Sequence, residues 1–289
     1  MKYLDPNLLN RVARQKFESR FLMAGNLSGL HRSPYRGFSV EFTAHREYAP
    51  GDELRHLDWK IYGRSDRFFV KEHEAETNLK AFVFLDVSGS MAYGDGQTKF
   101  DYGCHLATAL TFLLLKQGDP VGLVLFDEGL RRHLPPSGRR TQLLSVADAL
   151  EREAPSGKSG VVRALQETAA DVSHQGLAVV ISDFLEEPQA VIRALKLYRH
   201  KRFEVVVFHL LHADEVDFPF DGTIRFEDLE ISRRVTADPK AIGGNYRRLV
   251  SDYVQEYQTL CRREGIDYQL FRTDVPLEMA LVRYLASRG

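Results

Sequence analysis

From residue 78 onward, runs of consecutive apolar residues alternate with segments in which apolar residues recur every three or four positions. An uninterrupted apolar run is typical of a strand buried on both faces, and the three-to-four spacing is typical of a helix with one buried face. The predicted strands are 80–85, 121–126, 177–182, 203–210 and 268–271, and the predicted helices are about 99–117, 139–152, 160–174, 188–199 and 276–287, with a long helix from Asp238. The alternation predicts an α/β fold with a doubly wound, mostly parallel sheet.

Residues 1–77 follow a different pattern. A short segment with helical spacing comes first, and strict alternation of apolar and polar residues over 38–45 predicts a strand. We therefore expect an N-terminal helix and β appendage at 1–77 and a main α/β domain at 78–289. Within the main domain, aromatic and turn residues at 214–235 interrupt the alternation, which predicts an inserted hairpin. The basic and proline-containing stretch 131–140 is interpreted as a solvated loop.

Oxygen-bearing side chains follow the first buried strand of the main domain. Asp86, Ser88 and Ser90 come directly after the run that ends at Leu85, and Gly89 permits a tight turn between them. Carboxylate and hydroxyl oxygens at the carboxyl end of a parallel strand are suitable ligands for Mg²⁺ or Mn²⁺. We expect the two serines to bind such a cation directly and Asp86 to hold it through water. The alternative interpretation is a polar turn that caps the next helix.

Two later segments offer further oxygen ligands. Asp183 follows the strand 177–182, and Ser159 lies in a small-residue loop before a predicted helix, with Ser156 as a competing candidate. Because the carboxyl ends of parallel strands meet at one edge of a sheet, we expect the three loops to form a single cluster. The predicted metal ligands are Asp86, Ser88, Ser90, Ser159 and Asp183.

This order of ligands resembles the metal-ion-dependent adhesion site of von Willebrand factor A domains. Asp86, Ser88 and Ser90 match its first motif and Asp183 its last, whereas its middle motif usually has a threonine where this chain has Ser159. The resemblance implies that the bound metal takes an acidic side chain of a protein partner as its last ligand. It also implies a von Willebrand factor A-like fold for the main domain.

A second resemblance lies upstream. The stretch from Tyr48 through Pro50-Gly51-Asp52 to Asp58-Trp59 resembles the signature of the bacterial "domain of unknown function fifty-eight" family, in which it precedes a von Willebrand factor A-like domain. The similarity covers about residues 37–289. Proteins of this kind are often encoded beside MoxR-type AAA+ ATPases and are thought to act with them in chaperone-like maturation or stress responses. No enzymatic activity is established for the family, so the resemblance implies an adaptor with such an ATPase as partner.

The charged residues of the signature have a structural interpretation and a functional alternative. We interpret them as groups that pin the appendage to the main domain through charge-assisted hydrogen bonds, and the alternative is a docking surface. The residues are Arg46, Asp52, Arg55, Asp58, Trp59 and Arg64.

Catalysis is the alternative to binding for the serine-rich loop. A Mg²⁺-dependent phosphohydrolase would use Asp86 as its nucleophile. Such chemistry usually needs a second carboxylate two residues further on as general acid, and this chain has Ser88 there. We therefore predict a non-catalytic, metal-dependent interaction module.

Composition restricts the remaining function classes. The chain has 289 residues, and its 39 Lys and Arg residues nearly balance its 40 Asp and Glu residues, which argues against a nucleic-acid-binding surface. Only two cysteines are present, so we expect no disulfide framework. We see no signal peptide and no apolar run long enough to span a membrane. These observations predict a cytoplasmic protein.

Overall fold

The computed structural model describes residues 2–17, 40–48, 61–63, 67–75, 79–172, 175–231 and 233–288. It divides into two compact units, one comprising residues 1–26 and 79–289 and the other residues 27–78. In chain order the elements are α1 (Pro6–Val12), β1 (Val40–Glu47), β2 (Phe69–Ala75), β3 (Ala81–Asp86), α2 (Lys99–Lys116), β4 (Val121–Phe126), β5 (Leu130–Ser137), α3 (Thr141–Glu151), α4 (Val161–Asp171), β6 (Gly176–Ser182), α5 (Pro188–His200), β7 (Phe203–Leu211), α6 (Ala213–Asp217), β8 (Ile224–Glu227), β9 (Arg234–Ala237), α7 (Pro239–Arg263), β10 (Asp267–Arg272) and α8 (Leu277–Ala286).

The smaller unit contains an antiparallel hairpin. Strands β1 and β2 pair from Val40 with Ala75 to Glu47 with Phe69, and the register shifts once, between Phe42 and Ala44. The signature stretch beyond Tyr48 lies outside the described residues, as do Asp52, Arg55, Asp58, Trp59 and Arg64, and only the backbone of Arg46 is described. Both interpretations of these charged residues therefore stay predictions.

The larger unit is built on a six-stranded sheet in the order β10-β7-β6-β3-β4-β5. All neighbouring strands are parallel except β5, which runs antiparallel to β4 at one edge. This arrangement confirms the predicted α/β fold with a doubly wound, mostly parallel sheet. The edge strand β5 was not predicted, because residues 131–137 are basic, contain two prolines and lack an apolar run.

Hydrophobic clusters cover both faces of this sheet. Val83 and Leu85 of β3 point into one cluster with α1, α2, α3 and α8, whereas Phe82 and Phe84 point into the other with α4, α5 and α7. Because every residue of β3 is buried on one face or the other, the strand is continuously apolar up to its last residue, Asp86. Helix α1 belongs to this unit rather than to the β hairpin, since its Leu8 and Val12 are buried in the first cluster.

The strand order fixes where the loops meet. The chain leaves β3 toward β4 on one side of the sheet and later places β6 on the other side. The carboxyl ends of β3 and β6 therefore lie side by side at the point where the strand order reverses, which is where open α/β sheets bind ligands. The hairpin of β8 and β9 lies within and just beyond the segment where an insertion was predicted. In the described segments, no helix has the length and apolar character required to cross a membrane.

Candidate metal site

Asp86 is the centre of the cluster at this edge of the sheet. It ends β3 and is fully buried. Its Oδ1 accepts a hydrogen bond from the backbone N–H of Ser88 at 2.9 Å. Its Oδ2 accepts from the hydroxyls of Ser159 at 2.8 Å and Ser182 at 2.6 Å. One carboxylate thus joins the loops after β3 and before α4 to the end of β6, and Ser182 is a participant that the sequence analysis did not single out.

The hydroxyls of Ser88 and Ser90 lie 3.1 Å apart and both side chains are buried. A 3₁₀ turn over Gly89–Ala92 brings them together. The N–H of Gly89 donates to the carbonyl of Gly157 at 2.9 Å, which holds the first loop against the loop that carries Ser159. No side chain fits at Gly89, because a Cβ there would lie 2.3 Å from the carbonyl oxygen of Leu229.

The structure distinguishes the two serines proposed for the middle loop. Ser159 contacts Asp86 directly. Ser156 is exposed, and its hydroxyl accepts a hydrogen bond from Arg131 at 2.9 Å. Four of the five predicted ligands therefore lie in one hydrogen-bonded group, which consists of Asp86, Ser88, Ser90 and Ser159.

Asp183, the fifth predicted ligand, follows β6 and is fully buried. Its Oδ2 lies 2.7 Å from the ammonium of Lys99 in α2, and the same ammonium lies 2.7 Å from Glu215 in α6. Its Oδ1 has no hydrogen-bond partner in the described part of the chain. Lys99 was not predicted, since a lysine in the first turn of a helix usually faces solvent.

Burial and neighbouring charges shift the pKa values of both Asp86 and Lys99. Burial and, to a smaller extent, the charge of Asp183 together raise the pKa of Asp86 to about 7, although the hydrogen bonds from Ser182 and Ser88 act in the opposite direction. Burial alone would lower the pKa of Lys99, but the charges of Asp183 and Glu215 outweigh that effect and raise it. Two carboxylates thus lie close together in a buried place, with a single lysine paired to one of them.

Aromatic side chains of α7 hold the loop that carries Asp183. The hydroxyls of Tyr253 and Tyr257 donate to the carbonyls of Phe184 and Glu186, at distances that include 2.8 Å for Tyr253 to Glu186 and 3.1 Å for Tyr257 to Phe184. Phe184 has a φ of 51°, which a phenylalanine rarely adopts, and these hydrogen bonds stabilise it. The next acidic side chain, Glu186, accepts hydrogen bonds from the N–H of Val161 at 2.5 Å and from Ser159 at 3.4 Å.

The donor set suits a hard divalent cation. It consists of carboxylate and hydroxyl oxygens, which Mg²⁺ and Mn²⁺ prefer. Throughout the described ranges, no group of three or more His, Cys, Asp and Glu side chains lies close enough to hold a metal, so hydroxyls would supply much of any coordination here. Oδ1 of Asp183, for which the described residues provide no hydrogen-bond partner, is a buried atom that a cation would satisfy.

Uncharacterised mycobacterial proteins resemble the chain over nearly all of its length. It is 27% identical over 292 residues to the uncharacterised protein Rv1480 of Mycobacterium tuberculosis (strain ATCC 25618 / H37Rv). It is equally similar to the uncharacterised protein Mb1516 of Mycobacterium bovis (strain ATCC BAA-935 / AF2122/97). Both matches span 98% of this chain and 90% of the relative.

Matches among solved structures are more distant. BatB of Bacteroides thetaiotaomicron is 17% identical with a TM-score of 0.48, and the match covers 72% of this chain and 99% of BatB. The von Willebrand factor A domain of SpRpn10 is 14% identical with a TM-score of 0.42, covering 71% of this chain and 94% of that domain. An aerotolerance-related membrane protein of Bacteroides fragilis NCTC 9343 is 16% identical with a TM-score of 0.48, covering 72% and 99%. The prediction of a cytoplasmic protein is wrong on this comparison, because proteins named as membrane proteins are among these structures.

The family match agrees with the resemblance inferred from the signature and the strand-end motifs. It extends from residue 44 to residue 255 and so includes the loops that carry Asp86, Ser159 and Asp183. The chain belongs to the family described as protein of unknown function DUF58.

Proposed function

We propose that this protein is a metal-dependent protein-interaction module. In this proposal Mg²⁺, or Mn²⁺, is held by Asp86, Ser88, Ser90, Ser159 and Asp183. The last coordination position is filled by an Asp or Glu carboxylate of a protein partner. The metal supplies a positive charge at which a carboxylate of another molecule is stabilised.

The observation that carries the proposal is Oδ1 of Asp183, which is buried and has no hydrogen-bond partner among the residues that the structure describes. Burying a carboxylate oxygen without a partner lowers the stability of the folded state, so a ligand at this atom is expected. It lies at the sheet edge where Asp86 gathers the hydroxyl of Ser159 and where Ser88 and Ser90 meet. A divalent cation bound among these oxygens would stabilise that arrangement.

Binding explains the geometry better than hydrolysis. Both oxygens of Asp86 already accept hydrogen bonds, Oδ1 from Ser88 and Oδ2 from Ser159 and Ser182. A carboxylate that attacks phosphorus needs a lone pair directed at the substrate. In this proposal the hydrogen bonds of Asp86 hold the loops together, and Asp86 holds the metal through water.

We further propose that the partner is a MoxR-type AAA+ ATPase and that the two act in chaperone-like maturation or a stress response. Membership of DUF58 supports this proposal, because the family resemblance implies that proteins of this kind are often encoded beside such ATPases. A pull-down of the ATPase with the purified chain, in Mg²⁺ and in excess chelator, tests it. We expect capture in Mg²⁺ and its loss in chelator, and capture of equal strength in both would contradict a metal-mediated contact.

Calorimetric titration with Mg²⁺ tests the metal site itself. We expect saturable binding to the wild type and none to Asp86→Ala, with both proteins folded by circular dichroism. Asp95→Asn is a matched control, because Asp95 is an exposed acidic residue of the same loop region. Equal titrations of the wild type and Asp86→Ala would refute the site.

A further inference from the structure

Lys99 is a buried cation beside the candidate metal site. It is the first residue of α2, and its side chain is fully shielded from solvent. Its ammonium lies 2.7 Å from Oδ2 of Asp183 and 2.7 Å from Oε1 of Glu215. Lysine is rarely buried unless its charge is paired, and here one of its two partners is a predicted metal ligand. A fixed positive charge thus stands next to a carboxylate that is expected to hold a cation.

The two oxygens of Asp183 have different surroundings. Oδ2 contacts the ammonium of Lys99, whereas the described residues provide no hydrogen-bond partner for Oδ1. A cation at Oδ1 and the ammonium at Oδ2 would share the negative charge of one carboxylate. Because like charges repel strongly in a buried place, Lys99 opposes the binding of a metal here while it holds the carboxylate in position.

Glu215 is itself held in place. Its Oε2 accepts a hydrogen bond from the N–H of His212 at 2.7 Å, and the imidazole of His212 accepts one from the N–H of Asp214 at 3.2 Å. This reciprocal capping of α6 fixes the direction of the Glu215 side chain. The side chain of Glu215 therefore reaches Lys99 from a fixed start of a helix.

Lys99 is also anchored to the first loop of the site through Tyr93. The backbone N–H of Lys99 donates to the carbonyl of Tyr93 at 3.0 Å, and the N–H of Tyr93 donates to the carbonyl of Ser90 at 3.1 Å. The ring of Tyr93 packs edge-on against the ring of His212, with 5.2 Å between the ring centroids. The backbone of Lys99 thus follows the loop that carries Ser90, while its ammonium meets the loop that carries Asp183.

The formal charges of the site show what Lys99 does to it. With Asp86 and Asp183 ionised, a divalent cation neutralises the two carboxylates, and Lys99 and Glu215 cancel each other. Loss of the lysine charge leaves the loaded site with an excess negative charge, which favours the metal and repels a further carboxylate. Loss of the Glu215 charge has the opposite effect on both.

We propose that Lys99 is a positioning residue that sets the charge of the metal site, so that the site binds its divalent cation more weakly but accepts an anionic last ligand more readily. Glu215 limits this effect. The inference rests on the proposed function and deepens it, because it assigns to two residues outside the metal ligands the preference for a carboxylate of a partner.

Titration with Mn²⁺, followed by the relaxation of water protons, tests the first half of the proposal. We expect Lys99→Met to bind Mn²⁺ about tenfold more tightly and Glu215→Gln about threefold more weakly than the wild type. Glutamine at position 215 still offers an oxygen to the N–H of His212. Asp217→Asn is the matched control, since Asp217 lies at the end of the same helix, is exposed and pairs with Arg272. Its affinity should equal that of the wild type.

Acetate added to the Mn²⁺-loaded proteins tests the second half. Acetate that coordinates the metal displaces bound water and so lowers the relaxivity. We expect Lys99→Met to need about tenfold more acetate than the wild type, and Glu215→Gln to need about threefold less. A merely structural role of Lys99 would weaken both affinities, whereas a charge effect moves the Mn²⁺ and acetate affinities in opposite directions.

The outcomes distinguish this inference from the metal site itself. Absence of saturable Mn²⁺ binding in the wild type overturns the site and the inference with it. Saturable binding whose Mn²⁺ and acetate affinities are equal in the wild type, Lys99→Met and Glu215→Gln overturns the role of Lys99 alone. Glu215→Gln keeps the buried lysine, so it decides the question if Lys99→Met fails to fold. Tighter Mn²⁺ binding or weaker acetate binding by Glu215→Gln would overturn the proposal.

Discussion

The amino ends and the carboxyl ends of the parallel strands, here called the amino edge and the carboxyl edge, both bury charged side chains. At the amino edge a network centred on Arg288 pairs each of its carboxylates with a cation, whereas the group at the carboxyl edge leaves one carboxylate oxygen without a partner among the described residues. At the amino edge, Arg288 contacts Glu204 near the start of β7 and Asp267 at the start of β10, the latter at 2.5 Å. The hydroxyl of Tyr284 also donates to Asp267 at 2.8 Å. Each carboxylate of this network therefore meets a guanidinium that is itself fully buried.

The carboxyl edge is arranged differently. Asp86 receives hydrogen bonds from neutral hydroxyl and amide donors, and Asp183 shares one lysine with Glu215. One oxygen of Asp183 has no partner among the residues that the structure describes. The comparison indicates that the amino edge is a closed structural network, whereas the carboxyl edge has unused capacity for a cation. Placement at the reversal of strand order supports that assignment.

The largest effect is expected from a substitution that breaks the closed network around Arg288. Arg288→Met leaves Glu204 and Asp267 buried without their cation, so we expect a loss of about 3–5 kcal/mol in the free energy of unfolding. Urea denaturation measures this loss, and Mg²⁺ affinity of the folded protein should stay unchanged. Arg283→Met, at an exposed position on α8, which ends shortly before Arg288, is the control. A Mg²⁺ affinity that falls with Arg288→Met would contradict the separation of the two edges.

Removal of the lysine at the carboxyl edge sharpens the contrast. In chelator, the free energy of unfolding of Lys99→Met should be about 3 kcal/mol lower than that of the wild type, because Asp183 is left as an uncompensated buried charge. Added Mg²⁺ should restore about 2.7 kcal/mol when its concentration is 100 times the Kd. Denaturation with and without Mg²⁺ measures the loss of stability and its recovery. Lys80→Met is the control, because Lys80 is exposed. If Mg²⁺ at that concentration left the free energy of unfolding of Lys99→Met unchanged, the carboxyl edge would not be the cation site.

A smaller change tests the middle loop. Ser159→Ala removes the hydroxyl that contacts Asp86, and we expect about tenfold weaker Mg²⁺ binding, equivalent to about 1.4 kcal/mol. Ser156→Ala should leave affinity unchanged, because that exposed hydroxyl contacts Arg131 instead. Calorimetry on both variants decides between the serines, and the reverse order of effects would show that the assignment is wrong.

The smallest expected effect concerns Asp119, a partly buried carboxylate at the amino edge. No salt bridge to Asp119 is found among the residues that the structure describes. Burial raises the pKa of Asp119 to about 6, while a hydrogen bond from the N–H of Leu79 opposes the shift. Because the folded-state pKa lies above the unfolded value, this group lowers stability progressively as pH rises from about 4 to about 6. Asp119→Asn should therefore be more stable than the wild type at pH 7.5 by about 1 kcal/mol, after allowance for partial solvent exposure. Denaturation at pH 4 should show little difference between the two proteins, and an equal gain at both pH values would contradict this origin.

Burial explains how much of the fold the sequence could predict. Strands β3, β4, β6 and β7 are buried on both faces, so their uninterrupted apolar runs identify them. Strand β5 lies at the edge and has no fully buried residue, so it can contain arginines and prolines that make its sequence resemble a loop.

The same reasoning applies to the site. Asp86 and Asp183 were predictable from their positions at the ends of buried strands, and the geometry brings Ser88, Ser90 and Ser159 to Asp86 or to each other. Lys99 was missed because it lies in the first turn of a helix, which usually faces solvent. Only the packing of α2 against the sheet edge reveals its contact with Asp183.

Anomalous diffraction from crystals grown with Mn²⁺ tests the central claim most directly. The account predicts a manganese peak bounded by Asp86, Ser88, Ser90, Ser159 and Asp183, with the hydroxyls of Ser88 and Ser90 in its first coordination sphere. A fully occupied manganese elsewhere in the chain, with no peak among these five side chains, would contradict it.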